Sequence, residues 1–151
     1  TREASIPRRT ETLASQAQAS VSIPYGGYGL NDRFEPRNSA DKSMQFHNWW
    51  QCFGTEEWAQ YEWDQPMTLT EASVYWLELG HYDIDFQLPV SWRLEYKAGE
   101  KWLPVKNTDP YEIAKDKYCT VHFQPVRTKA LRLTAQLQEG KSAGILEWKV
   151  R

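Results

Sequence analysis

The sequence predicts an all-β domain, an antiparallel β-sandwich or jelly roll of about eight short strands. Apolar residues recur with a period of two along most of the chain from residue 20 onward, which is the spacing of half-buried strands. Turn-forming residues interrupt these segments at short intervals. No long segment shows the 3.6-residue period of an amphipathic helix. Together these patterns favour stacked sheets over a mixed α/β fold.

The strands can be placed in order from their alternation and from the turns that separate them. The predicted strands are residues 19–23, 58–63, 69–79, 90–97, 102–105, 121–123, 131–137 and 145–150. Residues 69–79 are apolar on both faces, which predicts a central position in a sheet. The segment Gly80–Pro89, rich in His, Tyr, Asp and Phe, is predicted to be a long loop.

Residues 1–19 are interpreted as a polar linker that tethers the domain at 20–151 to a preceding domain. Residues 10–19 have some helical propensity but little apolar face. Such a stretch usually cannot offset the entropy lost on ordering. The linker prediction follows from this composition alone.

Composition excludes several classes of function. The chain of 151 residues has a formal net charge of −2, and its 18 Lys and Arg residues are scattered. This pattern favours neither a nucleic-acid groove nor an anionic membrane surface. No apolar run approaches the roughly 20 residues needed to span a bilayer. Cys52 and Cys119 could form one disulfide or remain buried thiols; the absence of metal-type spacing leaves both open, and buried thiols are favoured.

Two adjacent tryptophans stand out among the eight in the chain. Successive side chains of a strand point to opposite faces, so Trp49 and Trp50 cannot both face one core. At least one of them is expected on the surface, at a second interface or in a loop.

Seven segments resemble the galactose-binding-like, discoidin-type (coagulation factor type C) jelly roll. They are Asn-Asp at 31–32, Trp-Trp at 49–50, Gly-Thr-Glu-Glu-Trp-Ala-Gln-Tyr at 54–61, Val-Tyr-Trp at 74–76, Pro-Val-Ser-Trp-Arg at 89–93, Ala-Leu-Arg-Leu at 130–133 and Ser-Ala-Gly-Ile-Leu-Glu-Trp at 142–148. The resemblance covers roughly residues 20–151, and its closing segment is the most specific part. More narrowly, it is similar to the C-terminal accessory domain of bacterial glycoside hydrolases, including β-L-arabinofuranosidase-like enzymes.

That resemblance implies a noncatalytic module that binds carbohydrate or positions substrate for a glycoside hydrolase domain in the same chain. It also implies a periplasmic or extracellular location. A domain that only packs on the catalytic domain and binds no sugar is the alternative, since fold does not fix function. A concave aromatic site would favour sugar binding, and a flat patch would favour packing.

In discoidin-type modules the ligand usually lies on loops at one end of the sandwich, so the resemblance implies that several loop residues meet there. Aromatic rings can pack on the C–H face of a sugar while polar side chains orient its hydroxyls. The candidates are Tyr28, Trp49, Trp50, His81, Tyr82, Asp83, Asp85, Phe86 and Gln87, with Tyr25 and Gln51 beside them. For Trp49 and Trp50, packing in a core or interface is an equal alternative.

The resemblance also implies a structural calcium site, with Asp32 in an early loop and Glu147 on the last strand as ligands. Asn31, Ser39 and Asp41 are candidate helpers, because calcium takes six to eight oxygens. The alternative is that Asp32 caps a turn and Glu147 pairs with an arginine. Arg33 follows Asp32 where the family often has glycine, which puts the turn in question because arginine does not favour positive φ.

A catalytic role receives little support from the sequence. Glycoside cleavage needs two carboxylates about 5 to 10 Å apart, and Asp83 with Asp85, or Glu56 with Glu57, are the available pairs. No Ser-His-Asp order, phosphate loop or HExxH motif occurs, and the three histidines are isolated. The sequence therefore predicts a noncatalytic domain, with His81 as the histidine to test.

Overall fold

The computed structural model describes residues 12–23, 27, 29–81 and 84–151. That part of the chain contains one short helix and nine strands. They are α1 (Leu13–Gln16), β1 (Gln18–Val21), β2 (His47–Asn48), β3 (Glu56–Leu77), β4 (Leu79–His81), β5 (Ile84–Phe86), β6 (Ser91–Ala98), β7 (Lys101–Pro104), β8 (Tyr118–Gln136) and β9 (Gly144–Val150).

The strands pair antiparallel throughout the named elements. The larger sheet has the order β2-β9-β3-β8-β6-β7, with β1 also paired to β3, and β4 and β5 form a separate hairpin. The predicted all-β antiparallel sandwich is confirmed.

Two long strands, β3 and β8, each contribute to both layers of the sandwich. Residues 56–62 of β3 pair with 130–136 of β8, and residues 71–75 pair with 118–122. The register breaks between these halves, between Glu62 and Met67 and again between Leu69 and Glu71. We call the layer of β1, β6, β7 and the 56–62 and 130–136 segments layer 1. Layer 2 contains β2, β9 and the 71–77 and 118–122 segments.

The corner between the layers explains one difference from the sequence prediction. Residues 58–63 and 69–79 were predicted as separate strands, but they are joined in β3, just as 121–123 and 131–137 are joined in β8. Proline lacks a backbone N–H and is tolerated at bulges. Pro66 lies in the register break, so the strand bends there without ending.

The core lies between the layers and is rich in aromatic rings. Tyr61 of layer 1 stacks on Trp148 of layer 2 with ring centroids 4.0 Å apart, and Trp76 meets Trp92 edge to face at 5.8 Å. A second, smaller cluster covers the other face of layer 2; its buried members are Tyr75, Leu77, Phe86 and Leu146. The prediction that β3 is central and apolar on both faces is therefore confirmed for residues 72–77.

Residues 12–19 are part of the domain, which corrects the predicted linker at 1–19. Thr12 caps α1 through Ser15, the Trp63 indole N–H donates to the Leu13 carbonyl at 2.7 Å, and β1 pairs with β3. The Asn31 side-chain amide adds hydrogen bonds to the carbonyls of Ala14 and Ala17, at 2.7 and 3.0 Å. Tertiary contacts thus order a segment whose composition alone does not favour a regular structure. Residues 1–11 lie outside the described residues.

Gly80–Pro89 is not one long loop, because β4 and β5 form a hairpin in its first half. Cys52 and Cys119 are both free thiols. The prediction of buried thiols is confirmed for Cys119, whereas Cys52 is only half-buried. Within the described ranges, no helix combines the length and apolar character needed to cross a membrane.

Candidate functional site

Three loops meet at the end of the sandwich where β3, β6 and β9 begin; we call this the loop end. They are residues 49–55, residues 85–90, of which the first two end β5, and residues 137–143. Backbone hydrogen bonds join them: Gly54 N–H to Lys141 O at 3.3 Å, Leu137 N–H to Thr55 O at 2.9 Å, and Gln87 N–H to Ser142 O at 2.9 Å. The 137–143 loop lies between the other two and binds both.

Side-chain amides add to this framework. The Gln136 amide donates to Gly54 O at 3.0 Å, and the Gln138 amide donates to Leu88 O at 2.8 Å. Gly54 has φ of +69°, and an added Cβ would lie 3.3 Å from Glu139 Cα. Glycine is therefore needed where the first loop packs on the third. The backbone of the loop end is held in place before any ligand arrives, which lowers the ordering cost of binding.

The side chains of the adjacent Trp49 and Trp50 lie in different environments, as the sequence predicts. Trp49 is fully buried, with its indole N–H 3.3 Å from the Trp58 carbonyl and its ring edge to face with His47 at 4.6 Å. Trp50 is 44% exposed, in a turn closed by a Cys52 N–H to Trp49 O bond of 2.8 Å. The sequence prediction that Trp49 contacts sugar is therefore corrected, because its ring packs in the core. Trp50 stays available.

Polar groups of the second and third loops are bonded to one another. Lys141 Nζ lies 2.6 Å from Asp85 Oδ2, and the Gln87 amide donates to Asp85 Oδ1. The Lys141 hydrogen bond, with that of Gln87, lowers the pKa of the Asp85 carboxyl. Asp85 is thus anionic at neutral pH, and a carboxylate with about four lone-pair positions can still accept from a ligand hydroxyl.

The spacing between Trp50 and Asp85 can be inferred from the backbone. Trp49 N–H binds Ala143 O at 2.9 Å, while Ser142 N–H binds Asp85 O at 3.1 Å. The two loops therefore flank residues 142–143 on opposite sides, about two strand spacings or ~10 Å apart. This separation can be bridged by a sugar that stacks on an aromatic ring and bonds through its hydroxyls.

Two further apolar side chains lie on the loop end that the sequence analysis did not select. Phe53 is 45% exposed and Val90 is 59% exposed. Phe53 stands between Cys52 and Gly54 in the same turn as Trp50, so a search for loop aromatics next to glycine would have found it. Val90 was assigned to a strand by alternation with Trp92 and offered no comparable signal.

The remaining sugar candidates divide into two groups. Phe86 is 7% exposed and packs in the second cluster on layer 2, so the prediction that it stacks on sugar is corrected. Tyr25, Tyr28, Tyr82 and Asp83 lie outside the described residues, as does the side chain of His81.

The carboxyls of Asp32 and Glu147, proposed as cation ligands, do come together. Glu147 is 1% exposed, its Oε2 accepts from Arg33 N–H at 3.2 Å, and its Oε1 has no hydrogen-bond partner. Burial, followed by the hydrogen bond and charge of Asp32, raises the pKa of Glu147 to about 10. Two adjoining carboxyls with an unbonded buried oxygen fit a hard cation, which would replace the proton that the pair otherwise holds.

The turn at Asp32 adopts a left-handed backbone conformation although no glycine stands there. Arg33 has φ of +66°, in the left-handed region, and the Asp32 carboxyl accepts from Phe34 N–H at 3.0 Å. The expectation that Asp32 caps a turn is met alongside its contact with Glu147. The expected pairing of Glu147 with an arginine includes the hydrogen bond from the Arg33 backbone N–H.

The helper ligands are engaged elsewhere. Asn31 directs its side-chain amide to α1. Asp41 accepts from the backbone N–H groups of Arg37 and Ser43, at 2.9 Å each, and these bonds with the Ser43 hydroxyl hold its pKa well below the usual range. Ser39 exchanges hydrogen bonds with Asp116. Among the described residues no group of three or more His, Cys, Asp or Glu could hold a metal, so a cation here would need backbone oxygens.

Glu56 and Glu57, the other carboxylate pair considered for catalysis, bind different partners. Glu56 binds Arg93, with Nη1 to Oε2 at 3.0 Å. Glu57 accepts from the hydroxyls of Ser22 and Thr55, at 2.7 and 2.6 Å. Adjacent strand residues point to opposite faces, so these carboxylates do not converge on one ligand.

Comparison with solved structures decides the fold. A chain from the Streptococcus pneumoniae β-galactosidase BgaA superposes with a TM-score of 0.72 at 18% identity, over 95% of this chain and 94% of that one. The chain has the galactose-binding-like fold. A chitosan-binding module of the chitosanase/glucanase from Paenibacillus sp. gives a TM-score of 0.57 at 13% identity, over 94% and 99% of the two chains.

A Clostridium perfringens module, CBM32-5, solved with GalNAc-β-1,3-galactose, shares the galactose-binding-like fold with a TM-score of 0.61. It is 10% identical, over 91% of this chain and 96% of that one. No protein-family profile matches this sequence. At these identities the likeness defines the architecture, and function must be argued from the site.

Proposed function

We propose that this galactose-binding-like domain is a noncatalytic carbohydrate-binding module whose ligand lies on the loop end. The observation that carries the proposal is the hydrogen-bonded meeting of three loops, one with exposed Trp50 and another, about two strand spacings away, with ionised Asp85. The known ligands of its structural relatives support it: chitosan for one module and a galactose-containing disaccharide for another.

Binding would use Trp50 as the stacking ring and Asp85 as the hydroxyl acceptor. Gln87 and Lys141, both bonded to Asp85, would orient that carboxylate and donate to ring or hydroxyl oxygens. Phe53 extends the apolar surface next to Trp50. Tyr28, His81, Tyr82 and Asp83 remain predicted members of the same site.

The benefit of such a module is proximity. Even millimolar affinity for a polysaccharide raises the substrate concentration around a tethered catalytic domain. We therefore propose a glycoside hydrolase domain as the partner in the same polypeptide, acting outside the cytoplasm. Calcium at Asp32 and Glu147 would join the early loop to the last strand and stabilise the fold without contacting sugar.

The first experiment is binding of the domain to a panel of plant and host glycans by affinity electrophoresis, with calcium and with EDTA. We expect Trp50→Ala to weaken a positive interaction at least tenfold. Leu103→Ala is the matched control, because Leu103 is 39% exposed on β7, away from the loop end. Equal weakening by both variants would contradict placement of the sugar at the loop end.

A second function is favoured by a separate feature, the exposed apolar side chains of Trp50, Phe53 and Val90 at one end. Such a patch also suits a structural domain that packs on a neighbouring catalytic domain. Absence of binding across the whole panel, with and without calcium, would contradict the sugar proposal and favour this packing role.

A further inference from the structure

A second concave surface lies at the opposite end of the sandwich, where β3 and β8 bend from one layer to the other. The cavity has a volume of about 450 Å³. It is bounded by the 62–66 segment of β3, the 127–130 segment of β8 and the turn that follows β6. Bulged strands often produce such concavities next to binding sites. Its volume lies within the range of about 300–1,000 Å³ that is usual for small-molecule sites.

The charge lining this cavity is unusual for the chain. Lys97, Arg127 and Lys129 all line it, and Glu62 is the acidic residue among its lining side chains. In the part of the chain that the structure describes, no ion pair joins any of these three cations to a carboxylate. The whole chain carries a net charge of −2. The lining of the cavity is therefore positively charged in a chain whose net charge is negative.

The cavity is built on ordered groups. Thr128 is 3% exposed, and its hydroxyl donates to the Lys97 carbonyl at 2.7 Å, which ties β6 to the corner of β8. The same hydroxyl accepts from Ala130 N–H at 3.2 Å. Trp63, 5% exposed, supplies apolar surface, and its indole N–H is held by the Leu13 carbonyl. The backbone atoms that carry the three cations are therefore fixed relative to one another.

The acidic group does not cancel this charge. Glu62 accepts a hydrogen bond from the Gln60 side-chain amide, which is bonded in turn to Arg132 through its oxygen. The lining thus keeps a formal charge of three cations against one carboxylate. Lys97 Nζ lies 5.5 Å from the centroid of the Trp102 ring, and Arg127 Nη1 donates to Thr68 Oγ1 at 3.4 Å. Cations that lack a carboxylate partner around a concave surface still attract anionic ligands and raise their local concentration.

We propose that this corner cavity is a second ligand site, for an acidic sugar that carries a carboxylate or a sulfate group. The three cations would bind the anionic group, and Trp63, which is 5% exposed, would form part of the floor beneath it. The choice of a sugar over another organic anion rests on the proposed carbohydrate-binding function. The choice of an anion rests on the three cations alone and is independent of that function. The site is independent of the loop end, because it lies at the bend in the middle of β3 and β8 and at the far end of β6.

The test is a ¹H–¹⁵N NMR titration of the domain with D-galacturonate, galactose 6-sulfate, neutral D-galactose and inorganic sulfate. We expect both acidic sugars, and not galactose, to shift the amides of residues 97–99 and 127–130. The double variant Arg127→Gln, Lys129→Gln should raise the Kd for the acidic sugars at least tenfold. The matched control, Lys42→Gln with Lys106→Gln, removes the same charge from exposed positions outside the cavity and should change Kd less than twofold.

Several outcomes would overturn the proposal. No saturable shift with either acidic sugar, or equal loss in the two double variants, would exclude a specific anionic site. Inorganic sulfate binding as tightly as the acidic sugars would show an anion site that does not recognise sugar. Trp50→Ala should leave acidic-sugar binding at the corner unchanged; loss of that binding would place the ligand at the loop end. Failure at the loop end with binding intact at the corner would contradict only the first proposal.

Discussion

The buried His47 should make the domain lose stability as the pH falls below about 6.5. His47 is fully buried, and its Nδ1 accepts a hydrogen bond from Gly27 N–H at 2.9 Å. Its Nε2 is buried without a partner. A second proton would have to enter at Nδ1, where an N–H group already points. Burial lowers the pKa of His47 to about 3, against 6.5 for the exposed side chain.

The size of the effect follows from the difference between these two pKa values. Because the unfolded chain binds the proton more readily, the stabilising contribution of neutral His47 is fully present above pH 6.5. It is lost progressively as the pH falls toward 3. Between pH 7.5 and pH 5.0 the loss should be about 2 kcal/mol, at 1.36 kcal/mol for each pKa unit.

The assay is urea unfolding followed by tryptophan fluorescence, at several pH values between 7.5 and 5.0. Other groups titrate as well: the pKa of Glu147 is raised by burial, so its protonation stabilises the fold as the pH falls. His47→Asn isolates the histidine, since asparagine can accept the Gly27 N–H but does not titrate. We expect the variant to be less stable at pH 7.5, and we expect its stability relative to that of the parent to rise by about 2 kcal/mol between pH 7.5 and 5.0.

The comparison between parent and variant decides the outcome. If the stabilities of both change by the same amount between pH 7.5 and 5.0, His47 is not the group responsible, and burial does not lower its pKa. A parent whose stability is flat over this range while the variant becomes more stable on acidification would agree with the reasoning, because the slopes differ by the expected amount.

Three further changes test the packing and the carboxyl pair. Gly144→Ala should lower the free energy of unfolding in urea by about 1–3 kcal/mol, because the added Cβ would lie 2.5 Å from the His47 carbonyl oxygen. Gly80→Ala is the control: its added Cβ meets nothing within 4 Å, so the free energy of unfolding should change by less than ~0.5 kcal/mol. Trp49→Ala should cost about 3–5 kcal/mol because it empties a buried site, and a loss below ~1 kcal/mol would contradict its place in the core. Calcium should raise the melting temperature of the parent but not of Glu147→Gln, and the variant in EDTA should equal or exceed the parent, since its neutral amide needs neither proton nor cation; an unchanged parent in calcium would argue against the cation site.

Alternation predicted much of the fold, because strand faces follow from local sequence. Trp92 and Leu94 on β6, and Leu131 and Leu133 on β8, are buried as their period of two requires. The sequence could not show that two pairs of strands are continuous. That continuity depends on how the corner bends, and a stretch such as Asp64-Gln65-Pro66 has the composition of an ordinary turn.

The candidate site was predicted less completely. Alternation required one of Trp49 and Trp50 to leave the core, but only the tertiary contacts of Trp49 with His47 and Trp58 decide which one. Phe86 looked like a loop aromatic until the β4–β5 hairpin placed it against layer 2. The basic corner cavity was invisible in sequence, since Lys97 and Lys129 are 32 positions apart and become neighbours only when β6 and β8 meet.

Because β3 bends between the two layers, the face to which each of its side chains points in layer 2 depends on the number of residues in the bend. Successive residues of a strand face opposite sides, so a shift of one position exchanges the two faces. Deleting one residue from 63–66 would turn Val74 and Trp76 away from the interior and direct Ser73 and Tyr75 into it. The number of residues in this corner therefore determines which face of the second half of β3 is directed into the core.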